Sequence, residues 1–113
     1  MRITGLHIEA GGTYALVQYD PRERDATLAF MQKLVGGWLE AAPIFTDALT
    51  MYCNEEGKLL GLPVNVVATL MLDPRVEDVI AGDVLIVGGP DEEGYDTTLP
   101  VATFLGNFYR RRG

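Results

Sequence analysis

The run Asn54-Glu55-Glu56-Gly57-Lys58, continued by Leu59-Leu60-Gly61-Leu62-Pro63-Val64-Asn65, is the densest cluster of binding groups in the chain. It holds two carboxylates, one ammonium and two side-chain amides. The chemistry these groups offer is recognition. Lys58 supplies a point charge, and Asn54 and Asn65 supply donors and acceptors together. Glu55 and Glu56 disfavour a free phosphate, because like charge costs binding. An adenine or amide-bearing ligand, or a basic protein surface, suits them better. The same run also has a plain architectural role as a turn. Asn54 and Gly57 are expected at positive φ, and Pro63 is expected to start a helix with Asn65 in its first turn. Free N–H groups at that helix end would face an anion or a partner's carbonyl.

The other reactive residue types form no recognisable set. Trp38 and Glu40 share one face of a strand, so Trp38 is either an interface anchor or a core residue. His7, the only histidine, sits at an alternating strand position between Leu6 and Ile8. Cys53 follows Met51 on an apolar face and reads as a small core residue. A His7–Cys53 dyad would need an orienting group and an oxyanion hole, and no feature announces either. Asp91, Glu92, Glu93 and Asp96 lack the spacing of a calcium loop and read as a solvated acidic loop. Gly88-Gly89-Pro90 lacks the Lys-Ser/Thr of a phosphate loop. No catalytic set, metal site or cofactor is expected.

The elements that must carry these groups are legible from pattern. Residues 2–10 and 13–19 alternate like strands around the turn Gly11-Gly12 and suggest a hairpin. Asp20-Pro21-Arg22-Glu23 resembles a helix start, with Asp25 as a second cap candidate. Leu28, Met31, Leu34 and Val35 form its stripe, and Gly36-Gly37 ends it. Strands are expected at 38–42, 49–53 and 84–87. Helices are expected from Pro63 to Leu72 and from Thr98, the last with Val101, Phe104, Leu105 and Phe108 inward. The order ββαββαβα predicts one α+β domain over residues 1–113, with a mainly antiparallel sheet of about five strands and three helices.

A chain of 113 residues at 48% apolar content can build one core. It has no apolar run long enough for a membrane span. The single cysteine and the strand-like first residues suit a cytoplasmic setting. Net charge is −7, and three of the nine basic residues are Arg110, Arg111 and Arg112. Residues 1–109 therefore carry six basic against 16 acidic groups. Such a body repels duplex DNA, and its acidity serves solubility or meets a basic partner. Oligomeric state is left open, with a homo-oligomer allowed.

Three strings together resemble a known family. They are Gly36-Gly37-Trp38-Leu39-Glu40, the Asn54–Asn65 run, and Gly82-Asp83-Val84-Leu85-Ile86-Val87-Gly88. Over residues 35–97 the chain resembles the domain-of-unknown-function family 3846, small proteins of phages, plasmids and bacteria. It departs from that pattern at Val64, Val66 and Val67, where a proline and two basic residues would be expected. The resemblance implies an accessory protein of a phage or mobile element, and the acidic surface with the Asn54–Asn65 segment suggests a non-enzymatic one that binds a host or defence protein. The residue types and spacing make Asn54, Glu55, Glu56, Lys58, Asn65, Trp38 and Glu40 the expected contacts. The alternative is a protein that binds or sequesters a small, nucleotide-like ligand.

Overall fold

The computed structural model describes residues 1–102 and Phe104. Strands β1 (Ile3–Ile8) and β2 (Tyr14–Tyr19) form the expected hairpin. Helix α1 (Arg24–Val35) follows, then β3 (Leu39–Ala41), β4 (Leu49–Asn54), a four-residue helix α2 (Val66–Thr69) and β5 (Val84–Gly88). The strands make one antiparallel sheet in the order β2-β1-β5-β4-β3. The result is a compact α+β domain in which the described residues complete two helices, one of them short.

β5 reads Val-Leu-Ile-Val-Gly, and all five residues are buried. A strand with no polar face must be covered on both sides. Alternation sends Leu85 and Val87 to one face, where Ile3, Tyr19 and Met31 complete a core under α1. Val84 and Ile86 point the other way, to Leu6, Ile8, Leu49, Met51 and Cys53. Ala68, Met71, Leu72 and Ile80 cover that second face.

The second cover is where the sequence pattern misleads. The apolar stretch from Pro63 to Leu72 is not one helix. Val64 bridges to Ala81, the Asn65 N–H donates to Ile80 O at 2.8 Å, and Leu72 bridges to Ile44. These contacts hold the ends of the stretch extended, which leaves room for a single helical turn at α2. The helix start at Asp20 is also displaced. Asp20 Oδ1 accepts from Arg22 N, and Asp20 O accepts from Glu23 N. That makes a turn, so α1 begins only after Glu23, whose side chain makes no cap bond. At the other end Gly36 takes the left-handed cap, φ 81°, and donates to Gln32 O. Leu28 of the expected stripe is exposed, while Met31 and Val35 carry the burial.

The third expected helix is described only at its start. Val101, Ala102 and Phe104 are helical, Phe104 is buried and Val101 is exposed rather than inward. Leu105, Phe108 and Arg110–Arg112 lie outside the described residues. Leu99 N donates to Thr4 O, which anchors the approach to this segment on β1.

The acidic loop is exposed from Asp91 to Gly94, as expected of a solvated loop, but it is fastened to the sheet through Asp96. Asp91 Oδ1 accepts from the N–H groups of Glu93 and Tyr95. Asp96 receives two phenols, Tyr19 OH on Oδ2 and Tyr52 OH on Oδ1, each at 2.7 Å. Arg22 lies over the Tyr95 ring at 4.4 Å and reaches Glu93. Burial, and then the bond to Asp96, pushes both the Tyr19 and Tyr52 phenols well above their ordinary 10.0. The folded protein holds these protons where the unfolded chain would release them. Their contribution is therefore complete below pH 10.0 and is lost as pH rises beyond it. Urea midpoints should drop on alkaline titration through this range, and the slope should be shallower in a Tyr19→Phe/Tyr52→Phe chain. Equal slopes would contradict this account.

Candidate functional site

The β3–β4 pairing decides which binding groups meet. Glu40 stands opposite Cys53, and Leu39 opposite Asn54. Just past β4, Glu55 N donates to Trp38 O at 2.8 Å, which holds the polar run against the start of β3. Glu40, Asn54, Glu55 and Lys58 consequently line one cleft of about 200 Å³. Cys53, which is buried, and Asp78, Val79 and Ile80 line it as well.

Its electrostatics are one-sided. Lys58 Nζ pairs with Asp78 Oδ1 at 2.5 Å. The bond from Lys58, with that from Val79 N–H, holds the Asp78 carboxyl below the usual carboxylate range. Lys58 is thereby neutralised. Glu40 and Glu55 have no cationic partner among the described residues, so the cleft keeps an excess of negative charge. Burial, and then the nearby Glu40, pushes the Cys53 thiol up to about 11. A cleft of this kind suits a cation or a hydrogen-bond donor. It offers an anion nothing that Asp78 has not already taken.

Trp38 is 64% exposed and sits beside the cleft. Its position resolves the choice between anchor and core in favour of the surface. Glu56 is exposed but does not line the cleft.

Asn54 is only 5% exposed. Its Nδ2 donates to Val35 O at the end of α1, and its Oδ1 accepts from Glu56 N. Asn54 thus builds the turn with its side chain, not with a positive φ. Gly57 also avoids positive φ, contrary to expectation; the left-handed glycine of this run is Gly61, at φ 68°. Gly57 is needed for space, because a Cβ there would strike the carbonyl oxygen of Ala81.

Asn65 lies away from the cleft and is fully buried. Its Nδ2 donates to Ile8 O at 3.1 Å and to Gly82 O at 3.0 Å, and its Oδ1 caps α2 by accepting from Ala68 N. Both N–H donors and the carbonyl oxygen of that amide are engaged inside the protein. The sequence marks Asn65 correctly as a special residue, but its role is to hold the second cover to the sheet.

His7 and Cys53 point to opposite faces of the sheet and never meet. His7 Nε2 donates to Leu34 O on the α1 side, whereas Cys53 packs on the α2 side. Among the described residues no group of three or more His, Cys, Asp or Glu is placed to hold a metal ion. No described helix is long and apolar enough to cross a membrane. Asp78 is the cleft residue that sequence reasoning missed. It lies twenty positions from Lys58, and nothing local marks the pairing.

The family model described as Domain of unknown function (DUF3846) matches residues 3–109. The chain belongs to this family. The match is wider than the 35–97 stretch that carries the resembling strings, and it includes the β1–β2 hairpin and α1. No curated protein and no solved structure matches the chain.

Two measurements test these assignments. Asn65→Ala removes the cap and leaves the carbonyls of Ile8 and Gly82 unpaired in the interior. It should cost about 3 kcal/mol in urea unfolding. Asn65→Asp keeps the cap but aims a carboxylate at two carbonyls, so it should not restore stability. Cys53, with its raised thiol, should react slowly with a disulfide reagent near neutral pH and quickly after unfolding. Rapid labelling of the native protein would contradict the burial of Cys53.

Proposed function

We propose that this DUF3846 protein is a non-enzymatic accessory protein of a phage or mobile element, acting in the host cytoplasm by binding a host or defence protein. The observation that carries the reading is the pairing pattern in the cleft. Glu40 and Glu55 stand without a cation beside an exposed Trp38, on a chain of net charge −7. A partner that presents a lysine or arginine would set its charge between the two carboxylates and its apolar rim on the indole. Tryptophan is the residue type that most often dominates such contacts, and cation–indole attraction adds to it.

The cleft volume also bears on the alternative, a small nucleotide-like ligand. Pockets that enclose drug-sized ligands run to about 300–1,000 Å³. A space of about 200 Å³ suits one side chain or a small amine better. The acidic wall argues in the same direction, since nucleotide phosphates would meet Glu40, Glu55 and Asp78.

The test is capture from host lysate followed by native mass spectrometry of the purified protein. A specific protein partner should be retained, and its binding should weaken with salt. Trp38→Ala should weaken that binding at least tenfold, and Glu40→Lys with Glu55→Lys should abolish it. All three positions are exposed, so stability should change by about 0.5 kcal/mol or less per substitution. Retention of a small molecule without a protein partner would favour the alternative.

A further inference from the structure

We propose that β2 is a dimerisation strand: two copies of this chain pair antiparallel along Tyr14–Tyr19, about a twofold axis at Leu16, and fuse their sheets into one. The register of the β1–β2 hairpin sets which backbone groups of β2 are free. Thr13 O accepts from Glu9 N, while Thr4 O accepts from Leu99 N on the far side of β1. The odd residues of β1 therefore face β2, and its even residues face away. With Gly5 opposite Val17 and His7 opposite Ala15, the backbone groups of Ala15 and Val17 are spent on β1. Those of Tyr14, Leu16 and Gln18 point outward from the sheet edge, and no described residue takes them up.

The side chains of the same residues are unusually open. Tyr14 is 72% exposed and Leu16 is 67% exposed. Edge strands are ordinarily blocked by charge, proline, a bulge or shortness. The opposite edge follows that rule, since β3 has three residues, carries Glu40 and is soon followed by Pro43. β2 has six residues in unbroken register, and no charged side chain occurs from Ala10 to Tyr19.

Charge selects the occupant. A basic foreign partner would be drawn to the carboxylates elsewhere and would find no counter-charge on this strand. Two copies at −7 each can approach closely only where charge is absent. Pairing about Leu16 sets Leu16 against its own copy and Tyr14 against Gln18. Gly12 then lies opposite Asp20, so no two like charges face each other across the seam. An interface of this kind is self-complementary, as a twofold axis requires.

The test uses the full chain. Sedimentation velocity at tens of micromolar should show a dimer. Leu16→Pro removes an N–H that points outward, which an edge strand tolerates. It should keep the circular dichroism spectrum and raise the dimer dissociation constant at least a hundredfold. A cysteine pair reads the register independently. Residues directly opposed in a hydrogen-bonded pair have Cα atoms about 5.5 Å apart, within disulfide reach. Oxidised Leu16→Cys chain should form a covalent dimer, whereas Tyr14→Cys, facing Gln18, should not; native Cys53 is buried and common to both. A monomer throughout this range overturns the proposal. So does a dimer untouched by Leu16→Pro, or equal cross-linking from position 14.

Discussion

Every layer of this protein follows from the double burial of β5. Its five residues leave no face for water, so the sheet needs a cover on each side. Among the described residues one complete helix is long enough to supply a cover by itself, α1. Between Val64 and Ala81 the other cover is mostly irregular backbone, and irregular backbone brings polar groups that find no partners in a regular ladder. Asn65 meets that need. One amide bonds Ile8 O of β1 and Gly82 O just before β5, and it caps the short helix α2 of this cover. Thr69 Oγ1 adds a second internal link by accepting from Ile80 N. The apolar side chains under the sheet supply the driving force, but these polar bonds determine where the segment lies.

The strands and the end of α1 were legible because their signals are local. Leu49, Met51 and Cys53 alternate with Thr50 and Tyr52, and the burial pattern follows that alternation. Gly36 marks the left-handed cap where the stripe ends. The 63–72 segment was not legible, because an apolar run looks alike whether it is helical or a buried extended loop. The decision comes from Ile44 and Ala81, far away in sequence. Helix propensity is weak where such bridges are available.

The candidate site divides along the same line. The density of polar groups from Asn54 to Lys58 was visible, and so were Trp38 and Glu40 as separate candidates, but the β3–β4 pairing that brings them together was not. Which of these groups are free to bind was not visible. Asn54 and Asn65 look like ligand contacts in the sequence because amides hydrogen-bond well, and that same property recruits them to the interior. Asn54 closes the end of α1, and Gly37 packs so near it that an added Cβ would lie 2.9 Å from Asn54 Nδ2. The fold consumes the two amides and leaves Glu40, Glu55 and Trp38 outside. A sequence reading can rank residues by chemistry, but only the three-dimensional pairing shows which hydrogen bonds are already spent.

Charge is distributed to match this division of labour. Lys58 and Asp78 neutralise each other across the cleft, Arg22 is held by Glu93, and Arg75 by Asp73. Three basic side chains are thereby matched to three acids, and the large excess of carboxylates remains. The excess makes close approach by a second acidic molecule costly over much of the surface. It also concentrates attraction for basic groups where two carboxylates stand together without a counter-ion, at Glu40 and Glu55. The uncharged edge of β2 is the complementary case, a place where repulsion is locally absent and main-chain groups are open. The sheet holds these two surfaces at opposite ends, since β2 and β3 are its two edges. A partner at the cleft and a second copy at β2 would therefore not compete for space, and each could be removed by substitution without disturbing the other.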